Sequence, residues 1–178
     1  MRIISGSLGG RQFDSPKSHR THPMSDKVRG GLFNILGDIA GLTVLDCFAG
    51  SGALSFEAVS RGAVSATAVE VDITSHRCIS ENIKTLGLKG LVKPIRANIS
   101  SWSKNNPTSV FGIVICDPPY DKINLDVLIN MAVHVAIGDL IVYSLSPKTD
   151  VELPDNQFLL LSTRLYGDSK LVFYRRIS

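Results

Sequence analysis

From Gly41 onward, short apolar runs alternate with stretches whose apolar residues recur every three or four positions. Residues 43–48 form a brief apolar run with β-branched members and predict a strand, and residues 52–60 predict a helix. The alternation continues with a strand over 66–71 and a helix over 74–86 that stops at Gly87. A shorter strand over 91–95 leads into a polar loop holding Trp102. Strands over 112–116 and 140–144 flank a helix over 125–135, and 158–162 with 170–175 predict two antiparallel strands joined through Tyr166-Gly167-Asp168. Ahead of this series, Ser25-Asp26 opens a helix through Leu36 with Val28, Leu32, Phe33 and Leu36 on one face. Residues 1–23 show neither period and predict an extended arm or short hairpin.

Short buried strands alternating with helices predict an α/β domain with a largely parallel sheet covered on both faces. In such sheets ligands lie beyond the carboxyl ends of the strands, near the point where strand order reverses. With 178 residues and 44% hydrophobic content, one compact domain over 24–178 accounts for the chain beyond the arm. The apolar runs are too short to span a bilayer, and the Gly- and Ser-rich start does not read as a secretory signal. Cys47, Cys78 and Cys116 are odd in number and lack metal-ligand spacing, which fits reduced cysteines in a cytoplasmic protein without a metal site.

Charge changes the picture at one end. Residues 1–36 carry Arg2, Arg11, Lys17, Arg20, Lys27 and Arg29 against Asp14 and Asp26, a net of +4, while the remainder of the chain carries −1. His19 and His22 fall in the same region. Such an asymmetry suits a polyanionic partner, and it equally suits a solvated basic arm.

Three motifs follow predicted strands. Asp46-Cys47-Phe48-Ala49-Gly50-Ser51-Gly52 closes the first, with Gly50 and Gly52 allowing a sharp turn and close approach of a ligand. Ser55 stands where a dinucleotide fingerprint would have its third glycine, so the motif alone is equally a plain strand-to-helix turn. Glu70 ends the second strand, twenty residues beyond Gly50, where an acid can accept ribose hydroxyls. Asp72 suits a helix cap instead. Asn98 follows the third strand, where it can reach an adenine edge or cap a turn. The most specific is Asp117-Pro118-Pro119-Tyr120 after the fourth strand. The prolines stiffen the backbone and carry no N–H, leaving carbonyls free to accept. Asp117 adds a charged acceptor and Tyr120 a flat ring, a set that suits a planar amino group with two hydrogens. His76 and His134 fall in predicted helices and do not read as bases.

Together these motifs resemble the class I S-adenosylmethionine-dependent methyltransferases that act on amino nitrogens. Thr21-His22-Pro23, Lys27-Val28-Arg29, Leu32-Phe33-Asn34-Ile35-Leu36, Glu57-Ala58-Val59-Ser60-Arg61-Gly62-Ala63 and Tyr166-Gly167-Asp168 narrow the resemblance to the RsmD family, bacterial guanine-N2 methyltransferases of small-subunit (16S) ribosomal RNA. The resemblance covers nearly the whole chain. It implies a Rossmann-like fold with a seven-stranded, mostly parallel sheet and an N-terminal arm that meets RNA, within an assembled or assembling 30S particle. It implies Asp117, Pro118, Pro119 and Tyr120 at the reacting amino group. Asp46, Phe48, Ala49, Gly50, Ser51, Gly52, Glu70 and Asn98 would face the cofactor. Arg2, Arg11, Arg20, His22, Lys27 and Arg29 would face RNA. The family usually has arginine at His22 and threonine at Met24, a departure that bears on one RNA contact. It often has glutamate near Ser144, a departure expected to leave the transfer site untouched. Adenine-N6 methylation of DNA, methylation of a protein glutamine amide and a catalytically idle assembly module are the rival readings.

Overall fold

The computed structural model describes residues 1–16 and 24–178, with Lys122 described by its backbone alone. Helix α1 (Asp26–Leu36) starts where Ser25 accepts a hydrogen bond from the Val28 amide, satisfying a donor that the first helical turn leaves open. Strand β1 (Thr43–Asp46), helix α2 (Ala53–Ser60), strand β2 (Ser65–Glu70) and helix α3 (Ile73–Leu86) follow. Asp72 caps α3 through the Ser75 amide, and Gly87 ends it with a φ of 73°. Then come β3 (Val92–Arg96), α4 (Ile99–Asn105), β4 (Phe111–Cys116), α5 (Leu125–Asn130), β5 (Val135–Leu145), β6 (Phe158–Tyr166) and β7 (Ser169–Arg176).

The seven strands form one sheet in the order β3-β2-β1-β4-β5-β7-β6. The first five are parallel, and β7 and β6 close the edge antiparallel. Strand order therefore reverses between β1 and β4, at whose carboxyl ends Asp46 and Asp117 stand. Apolar clusters cover both faces: Leu32, Phe33, Phe56 and Ile79 on one side, Trp102, Leu128, Met131 and Tyr143 on the other. The strand pattern predicts the mostly parallel sheet covered on both faces, and the seven-stranded Rossmann-like class I methyltransferase architecture is the one that the resemblance implies.

Three elements differ from expectation. The polar loop at Trp102 contains helix α4, whose only buried residues, Ile99 and Trp102, are too few to register as a helical period. The helix expected over 125–135 ends at Asn130, and Met131–His134 tightens into a 3₁₀ turn. β5 then begins at Val135, five residues early, because Val135 already pairs with Phe111 of β4.

Of the expected arm or hairpin, residues 1–16 take the hairpin form, with Arg2 bridging Gln12. Ile3 and Phe13 enter the core, and the Phe13 ring meets Phe56 edge-on at 5.2 Å. The Ile4 and Ser5 amides both donate to the buried Glu57 carboxylate, at 2.7 and 3.1 Å. Lys17, Arg20 and His22 lie outside the described residues.

Candidate active site

The site is built from three strand ends that the parallel order brings side by side. Beyond β1, the chain turns back through Ala49, whose amide donates to the Val69 carbonyl on β2 at 2.9 Å. Gly50 has a φ of 53° and Gly52 of 82°, both in the region that favours glycine. The two glycines do different work. A Cβ at Gly52 would sit 2.6 Å from the Phe56 ring, so its bareness serves packing of the turn onto α2. A Cβ at Gly50 would meet nothing nearer than the Phe48 carbonyl at 3.9 Å, so the side it leaves bare opens outward. Phe48 is half-buried against the core, and Ala49 and Ser51 are buried beneath the turn.

Glu70, at the end of β2, braces this turn. Its Oε2 accepts the Gly50 amide at 2.7 Å and its Oε1 the Asp72 amide at 2.7 Å. Burial raises its pKa, and the two amides oppose that rise. Asp46 is fully buried. Ser55 Oγ donates to its Oδ2 at 2.8 Å, while Oδ1 is enclosed with no hydrogen-bond partner. Burial pushes its pKa up to about 7, with the negative charges of Asp117 and Glu70 adding to the rise. Asn98 uses its side-chain oxygen to cap α4, accepting from the Ser100 and Ser101 amides at 3.0 and 3.4 Å.

Asp117 leaves β4 half-buried, and Pro118 behind it is buried. Desolvation lifts the Asp117 pKa to about 6, and the nearby Ser144 hydroxyl holds it down. Tyr120 begins a 3₁₀ turn over Tyr120–Lys122 and is 39% exposed. Its hydroxyl lies 3.3 Å from Ser144 Oγ and donates to Ser169 Oγ at 3.1 Å. The expectation that the serine at the end of the fifth strand leaves the transfer site untouched is therefore corrected. Ser144 touches Tyr120 and influences Asp117 because β5 lies directly beside β4. Nothing in the linear sequence marks Ser144 or Ser169, which lie 24 and 49 residues from Tyr120.

These features fit S-adenosylmethionine as a ligand: the Asp46 oxygen lacks a donor, Gly50 is bare on its open side, and Glu70 stands at a ribose-binding position. Among the described residues no group of three or more His, Cys, Asp or Glu could hold a metal ion. Among them too, no helix is long and apolar enough to cross a membrane.

The proposed RNA-facing residues separate. Arg2 is well exposed and pairs with Asp26 at 3.0 Å, and Lys27 is exposed. Arg11 donates to the Leu86 and Thr85 carbonyls at the end of α3. Arg29 is corrected outright. It is fully buried, donating to Asp26 at 2.9 Å and to the Arg2 carbonyl at 2.7 Å, with Glu57 at 3.8 Å, so it is walled off from any phosphate. A basic residue flanked by Val28 and Leu32 on the buried face carries no sequence mark that distinguishes it from a surface one.

The family model described as conserved hypothetical protein 95 matches residues 1–175. A ribosomal RNA small subunit methyltransferase D from Escherichia coli is 39% identical over 74% of this chain and 66% of its own length. YlbH of Bacillus subtilis is 31% identical over 99% of both chains. The chain belongs to the RsmD family. It spans about two thirds of the length of the first curated relatives it matches. The solved structure of Escherichia coli yhhF superposes with a TM-score of 0.87 and 32% identity over 100% of this chain and 98% of that one. A Thermus thermophilus protein, TTHA0928, gives 0.82 and 27% over 98% and 99%. Family membership thus extends across the N-terminal hairpin and the β6–β7 edge as well as the motif-bearing strands.

Proposed function

We propose that this chain transfers a methyl group from S-adenosylmethionine to the exocyclic N2 amino group of a guanine in small-subunit (16S) ribosomal RNA. The observation that carries the reading is the half-buried Asp117 at the carboxyl end of β4, beside the Gly50 turn and followed by two donor-free prolines. With a pKa of about 6 the carboxylate is mostly ionised at neutral pH and accepts one amino hydrogen. The Pro118 carbonyl accepts the other. Together they turn the amino group so that its lone pair leaves conjugation with the ring and points toward the donor. When bound, S-adenosylmethionine supplies the electrophilic sulfonium methyl. The residues of the chain contribute mainly alignment, and Asp117 or water takes the proton that the methylated nitrogen sheds.

Glu70 would hold the ribose hydroxyls and the Gly50 turn the remainder of the ligand, with Asp46 lending an acceptor from below. Tyr120 would cover the base once it leaves its stack, offsetting part of the unstacking cost. The names of the Escherichia coli and Buchnera aphidicola relatives, ribosomal RNA small subunit methyltransferases, support RNA of the small subunit as substrate. An assembled or assembling 30S particle in the cytoplasm is the form in which we propose this chain meets it. Tritiated-methyl transfer to naked RNA, 30S particles and DNA tests this. Labelled guanine in the RNA arms is the expected result, with Asp117→Ala inactive yet still binding S-adenosylmethionine. Label in DNA, or undiminished turnover by Asp117→Ala, would overturn it.

A further inference from the structure

Three separate parts of the chain converge on the Tyr120 hydroxyl. Tyr120 rides on a three-residue turn and is 39% exposed. Such a side chain would ordinarily change rotamer within nanoseconds. Here its hydroxyl is held between Ser144 Oγ at 3.3 Å and Ser169 Oγ at 3.1 Å. The two serines come from neighbouring strands. Ser144 is 1% exposed on β5, and Ser169 opens β7, which pairs antiparallel with β5.

Both anchors are themselves firmly based. Ser144 sits within a ladder that runs from Leu140 to Leu145 against β7. Ser169 follows the β6–β7 turn, where Tyr166 packs against Gly31 of α1 so closely that a Cβ at Gly31 would collide with the phenol. The residues on either side of the exposed tip are thus tied down, Tyr166 against α1 and Ser169 against Tyr120. A ring held in place before the substrate arrives does not lose rotamer freedom when a base stacks on it, which lowers the entropic cost of reaching a reactive geometry.

Resting on the base-methylation reading, we propose that Ser144 and Ser169 are positioning residues that clamp the Tyr120 phenol from β5 and β7 and so preset the stacking face for the entering base. Ser144 carries a single proton: with Tyr120 donating to Ser169, that proton goes either to the Tyr120 oxygen or to the neighbouring Asp117, whose carboxylate it favours. Ser169 has no such second duty.

The difference gives the test. Methylation of RNA is measured for wild type, Ser144→Ala, Ser169→Ala, the double serine variant, Tyr120→Phe, Tyr120→Ala and the triple Ser144→Ala/Ser169→Ala/Tyr120→Phe. Tyr120→Phe keeps the ring and removes only the clamped hydroxyl, and should lower kcat/KM for RNA by about 5- to 10-fold. At pH 9, well above the acid limb, the double serine variant should show a loss of the same size, and the triple variant should lose no more. Binding of S-adenosylmethionine should change by less than about twofold throughout. Ser144→Ala alone should move the acid limb of the pH–rate profile upward, whereas Ser169→Ala should leave it in place. A purely structural role for the serines would move neither the pH limb selectively nor make the losses non-additive. Serine variants at wild-type rates, or losses that add to that of Tyr120→Phe, overturn the clamp alone when Tyr120→Ala is impaired. A wild-type protein that methylates no RNA overturns the base-methylation reading and the clamp together.

Discussion

The Gly50 amide donates to Glu70 Oε2 at 2.7 Å, joining the turn that follows β1 directly to the residue that ends the neighbouring β2, twenty positions away. Glu70 therefore shapes the glycine turn, in addition to the ribose-binding role proposed for its carboxylate. Glu70→Ala should remove both contributions and weaken S-adenosylmethionine binding by about 10- to 100-fold, since a lost charged acceptor costs roughly 1.5–3 kcal/mol. Glu70→Gln should retain part of the affinity, because its carbonyl can still accept the Gly50 amide. Titration calorimetry on both variants checks the order. Equal affinities would sink the bracing role.

Asp117 and Asp46 are carboxyls whose folded-state pKa values, about 6 and about 7, lie above their ordinary range because burial disfavours the charged form. The rate should fall as pH drops through about 6, as Asp117 takes up a proton and ceases to accept from the amino group. Stability should run the opposite way. Between about pH 4 and pH 7 the folded chain holds protons that the unfolded chain has released, so these two groups weaken the fold as pH rises through that window. Asp46→Asn should then raise stability at pH 8 by about 1–2 kcal/mol, well below the full shift because the amide also needs partners, while impairing turnover. Urea titrations at pH 5 and pH 8 decide it, and a loss of stability at pH 8 would refute the sign.

Glu57 is fully buried and accepts from the Ile4 and Ser5 amides and from Arg61 Nε at 2.7 Å. It holds the N-terminal hairpin to α2 and faces Arg29 at 3.8 Å. Glu57→Ala would strand two amides and leave the buried guanidinium short of its counter-charge. A loss of about 3–5 kcal/mol is expected, with early proteolytic cleavage within residues 1–16. Simple removal of the N-terminal residues is a poor probe of RNA binding for the same reason, since Ile3 and Phe13 belong to the core.

Lys27 and Arg29 are two positions apart and should behave as opposites. Lys27→Ala, on the exposed side of α1, should leave Tm within about 1 °C and weaken RNA binding with a salt slope reduced by about one. Arg29→Ala should lower Tm by several degrees through the buried space it empties and the lost hydrogen bonds to the Arg2 carbonyl and Asp26. Identical behaviour of the two variants would contradict the burial of Arg29.

Periodicity alone specified the strands and helices that dominate the sheet, because alternating apolar runs and helical faces are local properties of the chain. The motifs after β1, β2 and β4 were legible for the same reason: glycines, an acid and paired prolines constrain the backbone wherever they stand. What the sequence could not reveal was which side of a helix faces inward and which distant hydroxyl meets which loop. Arg29 reads as one more basic residue until α1 is packed, when Glu57 and Asp26 draw it inside. Ser144 reads as a departure from the family pattern without consequence for the site, and Ser169 lies outside the expected strand, until β7 is inserted antiparallel beside β5 and both hydroxyls reach Tyr120. Conformation was written locally in the chain for the strongly patterned elements, whereas the early start of β5 and the proximity between residues dozens of positions apart came only from the order in which the strands pair.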